Sequence, residues 1–97
     1  MATFIMLGNF TDQGIRNVKD TTKRADAFKA TAQKAGATVK ELYYTMGQYD
    51  LVAILEAADE QTATALLLST GVLGNVRSQT LRAFTREEMS KVIAKMT

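Results

Sequence analysis

The 97-residue chain contains no histidine, no cysteine, no tryptophan and no proline. Without His or Cys it cannot build the usual zinc site, an iron–sulfur cluster, a His- or Cys-ligated haem, a thiol nucleophile or a Ser-His-Asp triad. Disulfides are excluded as well, so stability has to come from core packing and from association with a partner. A strong charge of one sign is also missing, since 12 Lys and Arg interleave with 10 Asp and Glu for a net charge of +2. That removes the basic stripe of a nucleic-acid binder. The longest apolar runs are too short to cross a bilayer, and Met1 leads straight into a strand-like run without a basic region or cleavage site. These features are those of a cytoplasmic protein with neither nucleic acid nor membrane as partner, and no cofactor is expected.

What is present suits one globular domain over 1–97: 46% of the residues are apolar and 23% charged. Ala2 to Phe10 is rich in apolar and β-branched residues and reads as a first strand. Thr11 to Gly14 looks like a capped turn. Ile15, Val18, Thr22, Ala25, Phe28, Ala32 and Ala35 then recur at the period of one helix face, which Gly36 closes. Asp20 would cap the main helix if Ile15 to Lys19 were a separate short turn; one continuous helix is the alternative. Thr38 to Met46 and Tyr49 to Ala57 read as strands two and three around Gly47-Gln48, a two-residue type II′ turn. That register pairs Met46 with Tyr49, Thr45 with Asp50, Tyr44 with Leu51, Tyr43 with Val52, Leu42 with Ala53 and Glu41 with Ile54.

Asp59 or a neighbour caps a helix through Ala63, Leu66 and Leu67 that stops between Gly71 and Gly74. Asn75 to Phe84 is the fourth strand. Thr85 and Glu88 form a capping box ahead of a last helix with Met89, Val92, Ile93 and Met96 on one face. The order is β-α-β-β-α-β with a tail helix, an α+β ferredoxin-like arrangement in which strands one and three are central. Both are apolar on two faces, whereas helices cover only one. A second copy of the chain is the economical cover for the other, making a homodimer or higher homo-oligomer.

Three segments carry a family resemblance: Leu7-Gly8-Asn9-Phe10-Thr11-Asp12-Gln13-Gly14-Ile15-Arg16-Asn17-Val18-Lys19-Asp20, Gly47-Gln48-Tyr49-Asp50, and Gly74-Asn75-Val76-Arg77-Ser78-Gln79-Thr80-Leu81-Arg82-Ala83-Phe84-Thr85. Together they resemble the GYD-domain family over nearly the whole chain. The resemblance implies a dimeric α/β-barrel fold, related to small oligomeric proteins that include cofactor-free oxygenases, isomerases and haem-handling enzymes. It implies no particular activity, and the histidine ligand or base of several such relatives has no counterpart here.

Chemistry must therefore run on other side chains. Asp50, beside Thr45 and near Tyr43 in the expected hairpin, would suit proton transfer if covered by a partner. The plainer reading, a hydrogen-bonding Asp next to a tight turn, is favoured, because structural networks perturb acids as active sites do. Tyr43, Tyr44 and Tyr49 offer phenol donors, with Tyr44 and Tyr49 expected on the helix-packed face; aromatics at strand spacing are more often core. Arg16, Asn17 and Lys19, with Arg77 and Arg82, would bind a small organic anion if they converged, and salt bridges explain them equally well. Gly71 to Asn75 is a helix stop rather than an anion loop, and the methionines are core filler. The leading reading is a homo-oligomeric module for binding or interaction that handles a small, anionic organic molecule. The alternative is a cofactor-independent isomerase or oxygenase with Asp50 as base or acid, a Tyr such as Tyr43 as donor and an Arg holding the substrate, and a third is a purely structural assembly protein.

Overall fold

β-branched and apolar residues alternate along four segments of the chain, and each becomes a strand of one antiparallel sheet. In the computed structural model, which describes residues 1–97, β1 (Ala2–Phe10), β2 (Thr38–Tyr44), β3 (Leu51–Ala57) and β4 (Val76–Ala83) lie in the order β2-β3-β1-β4. β1 and β3 are the central pair, as their two-sided apolar character requires. Cross-strand partners share a face. On one face Phe4 and Met6 stand beside Leu55 and Ala53, buried under α2 (Thr21–Lys34) and α3 (Glu60–Val72). From α2 come Phe28 and Ala32, and from α3 Ala63, Leu66 and Leu67. This is the ferredoxin-like α+β architecture.

The other face has no helix. Ile5, Leu7, Val52 and Ile54 stand in its middle, only half-buried, flanked by Leu81 of β4 and Tyr43 of β2. A C-terminal helix, α4 (Arg86–Ala94), starts from the expected capping box: the Glu88 amide donates to Thr85 Oγ1 at 3.1 Å and the Thr85 amide to Glu88 Oε1 at 2.9 Å. None of its residues is buried. No helix is long and apolar enough to cross a membrane.

One open alternative is decided and two local expectations need correction. Of the two readings open for the stretch from Ile15, the separate short turn holds and the continuous helix does not: α1 (Asp12–Arg16) gives way to a 3-10 turn at Val18–Asp20 before α2 begins. Asp20 takes the cap position of α2 without a side-chain cap bond, and Ile15 at the start of the stripe is exposed. The hairpin is wider than a two-residue turn. Pairing runs as expected from Tyr44–Leu51 to Glu41–Ile54, yet beyond it the Asp50 amide leaves the hairpin and donates to Gly8 O of β1 at 2.9 Å. Thr45 N still donates to Asp50 O at 2.8 Å, but Met46 and Tyr49 do not pair, and Met46 is 97% exposed instead of facing the core. At the far end of β2 a bulge at Lys40 shifts the register, so Val39 pairs with Leu55.

Candidate functional site

Residues far apart in sequence interlock at one end of the sheet. Thr11 caps α1 by accepting from the Gly14 amide at 3.0 Å, and its hydroxyl donates to Gly74 O at 2.6 Å. The Thr11 amide donates to Asn75 O at 3.1 Å. Gln13 wraps the same turn, donating from Nε2 to Leu73 O at 3.1 Å and to Asn75 Oδ1 at 3.0 Å. Gly74 turns the chain at φ +84°, in the left-handed region that favours glycine. Gly14 is buried, and a Cβ there would sit 1.9 Å from Asn75 O. From the hairpin side, Asn9 Nδ2 donates to Gln48 O at 2.8 Å, and Asp50 Oδ2 accepts from the Phe10 amide at 2.9 Å. Segments from β1–α1, the β2–β3 loop and the α3–β4 turn are thereby locked together.

Above this knot α2 and α3 diverge over the sheet, leaving a cleft of about 330 Å³. Its floor is apolar, formed by Met6, Leu42, Leu51 and Val76 of the sheet and Phe28 of α2. Its polar lining comes from Thr21, Arg24, Thr31, Tyr44, Ser69, Thr70 and Asn75. Tyr44 Oη donates to Thr21 O at 3.2 Å and lies 3.3 Å from Thr21 Oγ1. Arg24 is half-buried and ties α2 to the α1 turn, with Nη1 donating to Asn17 O at 2.9 Å and Nη2 to Gly14 O at 3.5 Å. No carboxylate lines the cleft or pairs with Arg24.

The sequence matches the family model of the GYD domain over residues 4–93. The chain belongs to the GYD-domain family. It is similar to the glutamine synthetase and cystathionine beta-lyase binding protein of Thermus thermophilus, with 32% identity over 84 residues, 86% of this chain and 88% of the relative. The crystal structure of TTHA0845, also from Thermus thermophilus, superposes with a TM-score of 0.53 at 26% identity, covering 88% of this chain and 95% of that one. The crystal structure of FFRP-DM1 shares the fold, with a TM-score of 0.62 at 17% identity over 87% of this chain and all of its own.

In this GYD domain the three family-like segments are the ones that form the knot, so much of what marks the family in the sequence is fold-specifying contact. Asp50 holds the end of β1, its carboxylate on a backbone amide. Tyr43 lies on the open face opposite Val52, 53% exposed. Tyr44 is on the helix face, as expected, at the cleft. Tyr49, expected beside it, instead points its hydroxyl at Gln79 Oε1, 3.4 Å away on the open face. Asp50→Asn removes the charge but leaves an acceptor for the Phe10 amide. It should lower the melting temperature by a few degrees, in line with losing about 1 kcal/mol of charge-assisted hydrogen bonding in a small domain. Scanning calorimetry checks this.

The basic residues do not converge. Arg16, Asn17 and Lys19 sit exposed around the end of α1, where Asn17 Nδ2 donates to Gln13 O at 3.0 Å. Arg77 is on the open face opposite Asn9, and Arg82 lies five residues further along β4, roughly 17 Å away at strand rise. Arg82 is engaged in structure: its guanidinium stacks 4.8 Å from the Phe84 ring centroid and 5.6 Å from that of Phe4, and lies 3.6 Å from Glu60 and 3.6 Å from Glu88. Arg24 is absent from the residues that sequence reasoning singles out, although a signal exists: it precedes Phe28 by one helical turn, so a cation sits on the buried stripe. No group of three or more Asp, Glu, His or Cys is placed to hold a metal ion.

Two carboxylates at helix starts, exposed Asp59 and half-buried Glu88, have lowered pKa values. Asp59, the α3 cap, is lowered chiefly by the hydrogen bond from the Thr62 amide. Glu88 is lowered first by the Thr85 amide, with the Thr85 hydroxyl and Arg82 adding to it. A carboxyl depressed in the folded state contributes stability above its unfolded pKa and loses it as pH falls through the folded one. Circular dichroism should therefore show α3 and α4 losing stability below about pH 4, and Asp59→Asn together with Glu88→Gln should flatten that dependence.

Proposed function

We propose that this GYD domain is a cytoplasmic, homo-oligomeric module that binds a metabolic enzyme of the glutamine synthetase or cystathionine beta-lyase kind and also takes a small organic anion. The bare apolar face of the sheet carries the reading. Ile5, Leu7, Val52 and Ile54 lie side by side on the central strands, and leaving them in water forfeits about 25 cal/mol for each Å² of apolar area. A second copy covers that face and leaves both helical layers outward. There α3 presents Leu68 and Val72 one turn apart, 65% and 84% exposed, an apolar ridge available to a different protein.

The related Thermus thermophilus protein, named for binding two enzymes, supports a protein partner for this one. An isomerase or oxygenase has less support: its acid, phenol and guanidinium would have to meet, and Asp50, Tyr43 and the arginines stand apart. Biolayer interferometry with immobilised glutamine synthetase, and separately cystathionine beta-lyase, from the same organism is the test. Saturable binding to at least one is expected, reduced about tenfold or more by Val72→Glu on the ridge. No binding to either enzyme by the unmodified, folded oligomer rules the reading out.

A further inference from the structure

The cleft between α2 and α3 has one charged lining residue, Arg24, over an otherwise apolar and hydroxyl-bearing interior. A half-buried guanidinium costs free energy unless its donors are satisfied, and of its five N–H groups only two reach protein acceptors, Asn17 O and Gly14 O. Those two carbonyls fix its position at the α1 end of the cleft. The fork left unpaired is suited to two parallel bonds to a carboxylate.

We propose that the α2–α3 cleft is a binding site for a small monocarboxylate with a compact apolar body, its carboxylate held by Arg24. This rests on the reading that the module takes a small organic anion, and it specifies where and of what class. The volume, about 330 Å³, lies at the small end of ligand pockets, enough for a single ring or a branched aliphatic chain. Met6, Phe28, Leu42, Leu51 and Val76 would receive that body. A dianion such as phosphate is disfavoured because no second cation lines the cleft and no apolar group would meet the floor. The residues that the sequence offers as anion holders, Arg77 and Arg82 among them, line no part of it.

Titration of the full chain with 3-phenylpropanoate, followed by ¹H–¹⁵N correlation spectra, tests the assignment, with 3-phenylpropanamide and inorganic phosphate as comparison probes. Saturable shifts should cluster at Thr21, Arg24, Phe28, Tyr44 and Thr70, with the amide and phosphate at least about tenfold weaker, as expected for loss of one charge-assisted contact. Arg24→Gln should weaken the carboxylate about tenfold and leave the amide unchanged, and Arg24→Lys should recover part of the loss. Ala27 lines the cleft from an exposed position on α2. Ala27→Trp should block both organic probes with the spectrum otherwise preserved, which decides the matter if Arg24→Gln fails to fold. Shifts confined to Lys19, Arg77 or Arg82 would overturn this site while leaving an anion-binding module in place. Equal affinity for acid and amide would overturn the ligand class, and no shifts with any probe would defeat both the site and the anion-binding reading.

Discussion

Gly14→Ala should unfold the protein or lower its melting temperature by about 15 °C or more. The added methyl carbon would be placed 1.9 Å from the carbonyl oxygen of Asn75, and backbone cannot yield as a flexible side chain would. Relief requires α1 to lift from the α3–β4 turn. That motion strains the Thr11 bonds to Gly74 and Asn75 and the Gln13 bonds to Leu73 and Asn75. Overpacking alone costs about 1–3 kcal/mol, occasionally more, and each lost bond within the knot adds about 1 kcal/mol. In a domain of this size every kcal/mol moves the midpoint by about 4–8 °C. Gly71→Ala is the control: nothing lies within 4 Å of a Cβ there, and alanine should leave stability unchanged or raise it slightly. Thermal melts of the two variants side by side provide the comparison.

This contrast shows how far the sequence could be read. Element order, central strands, capping box and most of the hairpin register follow from periodicity and turn chemistry, all encoded within a few neighbouring residues. The break between α1 and α2 does not, because the apolar stripe from Ile15 to Ala35 has the same spacing whether or not the chain bends at Asn17. What bends it is tertiary: Gly14 on Asn75 O, and Arg24 on the carbonyls of Gly14 and Asn17. The same holds at Asp50, whose amide and carboxylate both go to β1, a strand some 40 residues earlier. Local register arguments place Tyr49 opposite Met46 and lose it there. The candidate arginines fail to gather for a related reason. Strand alternation puts Arg77 and Arg82 on opposite faces, since their separation of five is odd, whereas Arg24 reaches the cleft through the helical period that also buries Phe28.

Ile54→Lys should yield a folded monomer. Ile54 is paired with Ile5 and Glu41 at the middle of the uncovered face, away from the core beneath α2 and α3, so a lysine can keep its ammonium in water as long as no second subunit covers it. In the assembled state the same ammonium would be buried without a partner, from both copies at once. Such truncations and unpaired charges at the centre of an interface cost several kcal/mol. The dissociation constant should rise by about 100-fold or more. The helical far-ultraviolet signal and the Phe28 and Leu66 packing should persist, which separates dissociation from unfolding.

Sedimentation velocity of the unmodified chain across micromolar concentrations tests the account most directly. The proposed homo-oligomer predicts a species of at least twice the chain mass, with Ile54→Lys sedimenting as one chain under the same conditions. A well-folded, unmodified monomer at those concentrations would contradict the account, because Ile5, Leu7, Val52 and Ile54 would then lie open to water with nothing to cover them.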